Sequence, residues 1–239
     1  MIEQTPLQLL LDTALDEVKA DPHHRLAPQR RRQIYDALLR SADLAVRQAQ
    51  GWLAVLAAKR VLPLFEQLFP DDSLPREILD AAVGVLQGSV DDSRAAEIED
   101  EGYHASGNAW GYEELEEITW PAALAADASY HALKEARGFR PLNHLDRYHT
   151  VGTVTSPFQD DEVFSPEPEP IRGDTWPDEE VCTVDDTDTA AAAAVASSCR
   201  EDGPVCDPEK LQAFWMWWLL EAIPMAVEAA RLGHLPTNN

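Results

Sequence analysis

Glu101 and His104 stand three residues apart, the spacing with which a helix presents a carboxylate and an imidazole to a dinuclear metal centre. Such a centre needs a second copy of the motif and further inward carboxylates, and the chain offers a single copy. His144 and His149 fall in a segment read as loop, where a solvated pair is the ordinary interpretation. Cys199 and Cys206 lack the paired short spacings of a zinc site. Glu113, Glu114, Glu116 and Glu117 supply carboxylates for acid–base work, but on a helix such a run is normally a solvated face. Gly-x-Ser-x-Gly, catalytic-cysteine, Gly-x-x-x-x-Gly-Lys and Gly-x-Gly-x-x-Gly signatures are absent. The sequence thus points to no catalytic residue, no metal ligand set and no cofactor.

The elements that would position any site are read as helices. Residues 6–19 carry Leu7, Leu10, Leu11, Ala14, Leu15 and Val18 at helical spacing, with Thr5 as cap and Pro6 at the start. A second helix begins near Pro28, with Arg30, Arg31 and Arg32 crowding its first turn against the helix dipole. In so acidic a chain those arginines are expected to find carboxylates within the protein. Helical character continues from Ile34 to Phe69 with a soft point near Ser41, and Pro63 interrupts it. Pro70–Ser73 is a turn, and the next helix has Pro75 in its first turn and stops at Gly88. Asp91 or Ser93 opens a helix running towards Tyr103, Ile118–Arg137 is helical, and an Ala-rich helix spans Thr189–Ser198. The Asp185–Asp188 acids suit the N-terminal end of that last helix.

The stretch Leu211–Arg231 organises the rest. Leu211, Phe214, Trp215, Trp218, Leu219, Ala222, Ala226 and Ala229 form one apolar stripe, while Trp217 shares a side with Glu221, Pro224 and Glu228. Apolar on nearly every side, it reads as the central helix of an all-helical domain, opened by Asp207 and Pro208. Pro224 removes an amide hydrogen and predicts a kink or a new helix start there. Trp217 is read either as packed beneath the N-terminal helices or as an aromatic anchor for a partner.

Residues 139–186 differ from the rest. They are rich in proline, and Asp160, Asp161, Glu162, Asp178, Glu179 and Glu180 are among their carboxylates, with Phe158, Phe164 and Trp176 interspersed. This is a long, acidic, irregular insertion, with room for a short hairpin near 150–155, and a loop so long is uncommon without a role. The chain as a whole carries a net charge of −24 with pI near 4.4. That balance argues against binding nucleic acid or anionic membrane and permits a basic partner. Three cysteines, no basic-then-apolar leader and no apolar run of spanning length make a soluble cytoplasmic protein the expectation.

The run FWMWWLLEAIPMA at 214–226, with AAKRVLPLFEQLFPDD at 57–72 and PREILDAAVGVLQG at 75–88, resembles the all-α immunity proteins of bacterial polymorphic toxin systems, in the family numbered five. On that resemblance Phe214, Trp215, Trp218, Glu221, Pro224, Pro63 and Pro75 are motif residues. The fold is then one all-α bundle of seven to eight helices over 1–239, interrupted by the 139–186 insertion. The implied function is non-catalytic: binding and occluding a cognate toxin, possessing if it acts on nucleic acid a basic cleft. Asp160, Asp161, Glu162, Phe164, Trp176, Asp178, Glu179, Glu180 and Trp217 are the candidate contacts, by their mix of charge and aromatic surface. A helical scaffold without a toxin partner, and a helical-bundle metal protein or enzyme built on Glu101 and His104, are the alternatives.

Overall fold

The computed structural model describes residues 5–111, 120–138, 187–200 and 203–236. The protein is all-α. The helices are α1 (Pro6–Ala20), α2 (Pro28–Leu39), α3 (Leu44–Leu68), α4 (Leu74–Gln87), α5 (Asp92–Gly111), α6 (Trp120–Gly138) and α7 (Thr187–Ala196). A two-stranded hairpin follows, β1 (Ser197–Arg200) with β2 (Gly203–Cys206), and then α8 (Pro208–Trp217), a π-turn (Trp218–Ala222) and α9 (Ile223–Leu232). The chain stays helical from Pro208 to Leu232, so these last three segments act as one bent rod.

Helix ends follow local chemistry. Thr5 Oγ1 accepts from the Gln8 amide, Asp43 from Ala45, Asp72 from Leu74, Asp91 from Arg94, and Asp207 from Glu209 and Lys210. Each satisfies an amide that the first helical turn leaves open. α4 and α9 end at Gly88 and Gly233 in the left-handed region, φ 72° and 73°. The soft point near Ser41 is a true break between α2 and α3. Pro63, by contrast, sits within α3 without ending it, because its ring faces solvent. α5 runs past Tyr103 to Gly111, so the glycines at 102, 107 and 111 do not break it. Residues 197 and 198 pair as strand rather than extending α7, with Ser197 opposite Cys206 and Cys199 opposite Pro204.

α3 and α6 form the centre of the bundle and pack on each other. α4 lies on both, α5 on α6 and α4, and α7 on α6, α3 and α8. α9 runs along α3, while α1 pairs with α2 and reaches α8 and the π-turn. Ala122, Ala125, Ala128, Ala132 and Ala136 of α6 are buried, as are Ala190–Ala194 and Ala196 of α7. Small side chains on both let two helices approach closely. α6 and α7 flank the 139–186 segment in sequence and pack against each other, so the chain re-enters the same core.

The Leu211–Arg231 stripe is buried at every position named for it. Its expected centrality is corrected: Leu220 is 53% exposed, and Ala213, Glu221, Pro224, Glu228 and Arg231 are exposed too. The helix enclosed on all sides is α3, where every residue from Ala49 to Ala58 is buried. Periodicity identified the buried face of the Trp-rich rod. Its outer face mixes Ala213, Leu220 and Pro224 with charged side chains, and it is open because no element of the described residues covers it.

Candidate functional site

Arg30 and Arg31 find partners within the fold, while Arg32 is exposed. Arg30 Nε donates to Glu17 Oε2 on α1 at 2.8 Å, and its terminal nitrogen bonds the other carboxylate oxygen. That pair holds the Glu17 carboxyl below its ordinary value, chiefly through the hydrogen bond. Arg31 turns inward, 8% exposed, with its guanidinium 5.5 Å from the Trp215 ring centroid. Two of the three thus serve α1–α2 and α2–α8 packing rather than a ligand.

The buried face of the Trp-rich rod converges on one carboxylate. Asp188, in the first turn of α7, is 1% exposed. Trp218 Nε1–H donates to its Oδ1 at 2.8 Å and the Tyr35 hydroxyl donates to Oδ2. Tyr35 and Trp218 also meet edge to face, with centroids 5.9 Å apart. Burial pushes the Asp188 carboxyl up to about 6, against the Trp218 donor and the Arg31 charge, which favour the anion. Next to it, Thr187 gives its amide and hydroxyl hydrogens to Glu135 Oε1 of α6, at 3.1 and 2.7 Å. Asp188 does sit at the N-terminal end of the Ala-rich helix, as expected, and the fold draws it into the core. The signal available for it was an acid opening a helix of ten residues that is otherwise mostly alanine.

Trp217 points the other way. It is half-buried, tilted against Phe214 at 5.6 Å between centroids, with the Arg60 guanidinium 4.3 Å from its ring centroid. Arg60 comes from α3, and the pairing follows from the 208–232 rod running antiparallel to that helix. At the opposite end, Arg231 of α9 donates to Asp43, the cap of α3, at 2.9 Å. Lys59, Arg60 and Pro63 are exposed on α3, as are Leu220, Glu221 and Pro224 on the rod. The result is an open patch of aromatic, aliphatic and cationic side chains bordered by Glu221, on a chain whose net charge is −24. Arg60 and Leu220 carried no local sequence signal, since the first is 157 positions from its ring partner.

Of the motif residues, Phe214, Trp215, Trp218 and Pro75 are buried, and Glu221, Pro224 and Pro63 are exposed. Asp160, Asp161, Glu162, Phe164, Trp176, Asp178, Glu179 and Glu180 lie outside the described residues, as do His144, His149, Cys182 and the Glu113–Glu117 run. Of Glu101 and His104, Glu101 is exposed. Among the described residues no group of three or more His, Cys, Asp or Glu side chains is placed to hold a metal ion. No described helix is long and apolar enough to cross a membrane.

The sequence model of the immunity protein Imm5 family matches residues 11–138, more than half of the chain. The chain belongs to the Imm5 immunity protein family. The match spans most of α1 and all of α2 to α6, and includes both the Leu-Pro segment at 57–72 and the following helix. It stops before the Trp-rich rod, which is nonetheless part of the same core through α3 and α7. No curated protein matches the chain. An Imm5 immunity protein has a toxin as its partner in general terms.

Proposed function

We propose that this Imm5 protein binds and neutralises the cognate toxin of a bacterial polymorphic toxin system in the cytoplasm, by occluding the toxin without chemistry of its own. The family match over residues 11–138 carries the reading. The net charge of −24 supports it, because an acidic surface speeds encounter with a basic cleft and competes with an anionic substrate for it. The carboxylates and aromatics of 158–180, namely Asp160, Asp161, Glu162, Phe164, Trp176, Asp178, Glu179 and Glu180, are proposed as toxin contacts, with Trp217 as an aromatic anchor.

The test is co-expression with the neighbouring gene product. Rescue of growth together with co-purification of a stoichiometric complex is the expected result. Failure of both, with the protein folded and in excess, overturns the reading and leaves a helical scaffold.

A further inference from the structure

In a chain with 43 carboxylates and 19 lysines and arginines, arginines are readily claimed by acids. Arg30, Arg40, Arg76, Arg94, Arg137 and Arg231 each pair with an Asp or Glu. Arg60 is different. Among the described residues it pairs with no carboxylate and lies on the Trp217 ring instead. A guanidinium held over a ring makes a cation–π contact, and its N–H groups that do not face the ring stay available in the fork that matches a carboxylate.

The ring beneath it packs on the core. Trp217 leans on Phe214, which is 0% exposed, and the π-turn that follows fixes where the rod bends. The two neighbouring indoles divide their labour. Trp218 spends its N–H on Asp188 in the core, while Trp217 donates to nothing among the described residues. Leu220, 53% exposed, adds an aliphatic surface one turn on, and Lys59 a second cation. Pro63 has no amide hydrogen, so the Lys59 carbonyl lacks its usual helical donor. A held arginine with an open fork, an aromatic ring with a spare donor and an exposed leucine are the components that dominate the centres of protein interfaces.

We infer that the Arg60–Trp217–Leu220 patch is a docking site for a protein partner that presents an Asp or Glu carboxylate beside an apolar side chain. Resting on the proposed function, that partner is the toxin. The charge logic is specific. Acidic surface elsewhere draws in a basic toxin from any angle, while a cation held on an aromatic ring favours the pose that brings a carboxylate to Arg60. Steering sets the encounter rate and this patch sets the register. Because the guanidinium is already immobilised on Trp217, its ordering cost is met before binding.

The experiment uses the full chain and an inactive form of the neighbouring toxin gene product, with Kd and dissociation rate measured for wild type, Arg60→Ala, Leu220→Asp and the control Arg76→Ala. Arg76 is an exposed arginine of α4 that is already paired with Glu66. Circular dichroism and Tm confirm that each variant is folded. The expected result is a rise in Kd of about tenfold or more for Arg60→Ala and Leu220→Asp, mostly through faster dissociation, and little change for Arg76→Ala. Tight binding by wild type with both patch variants close to it overturns the patch and leaves the immunity reading standing. No binding by wild type overturns the immunity reading, and with it the occupant assigned to the patch.

Discussion

Asp188 is the residue where the fold departs most from local expectation. Its carboxyl titrates near 6 in the folded protein against an ordinary 3.8, because burial disfavours the anion more than Trp218 and Arg31 favour it. A raised acid contributes stability that is fully present below the unfolded value and is lost as pH rises through the folded one. The gap corresponds to about 3 kcal/mol. Glu17, held low by Arg30, works in the opposite direction and loses its contribution as pH falls. Asp188→Asn keeps an acceptor for Trp218 and removes the titration. In urea unfolding across pH 4–7, wild type should lose up to about 3 kcal/mol relative to Asp188→Asn. Parallel stability curves would show that Asp188 stays ionised throughout. Trp218→Phe removes the Nε1–H donor as well as part of a fully buried ring. It should cost about 2–4 kcal/mol at pH 7, and less at pH 5 where the carboxyl no longer needs the donor, as read by the same unfolding experiment.

At the scale of elements, the α4–α5 corner is held by a close approach. Gly88 adopts φ 72°, and the amides of Ser89 and Val90 return to the Gly84 carbonyl at 2.8 and 3.1 Å. A Cβ at Gly84 would stand 2.4 Å from Val90 Cγ2. Alanine there gains about 0.5–1 kcal/mol of helix propensity and loses more by overpacking, about 1–3 kcal/mol. Gly84→Ala should therefore lower Tm by several degrees in a thermal melt. An unchanged or higher Tm would mean that Val90 moves aside at no cost. The bent rod shows the same interplay. Pro224 cannot donate to the Leu220 carbonyl, and the chain answers with a π-turn one step earlier, Ile223 bonding to Trp218, before α9 resumes with Pro224 in its first turn. A kink or a new helix start at this proline was the expectation, and a helix with Pro224 in its first turn is what forms. The π geometry, which keeps both Ala222 and Ile223 buried, depends on what α3 offers the rod.

For the whole molecule, charge is the governing quantity. Neutralising Asp160, Asp161, Glu162, Asp178, Glu179 and Glu180 together should slow association with the toxin and flatten its dependence on salt, measured by stopped-flow or surface methods between low and physiological ionic strength. Identical association rates would remove this segment from the encounter. Arg60→Ala, in contrast, should act on dissociation and leave the salt dependence nearly intact. The two variants thus separate attraction at a distance from fit at contact.

The all-helical class, the positions of most helix starts and the buried stripe of the Trp-rich rod were readable from the sequence alone. Periodicity, Thr5, Asp207 and Gly88 act through neighbours within a turn or two, and such information survives in one dimension. The family resemblance was readable for a related reason, since its motif pieces are contiguous. Tertiary structure alone decided which helix is enclosed, that Asp188 lies in the core rather than in water, and that Arg60 meets Trp217. Each of these depends on residues more than 25 positions apart. No local propensity encodes them, because they exist only once α3, α7 and the rod have packed.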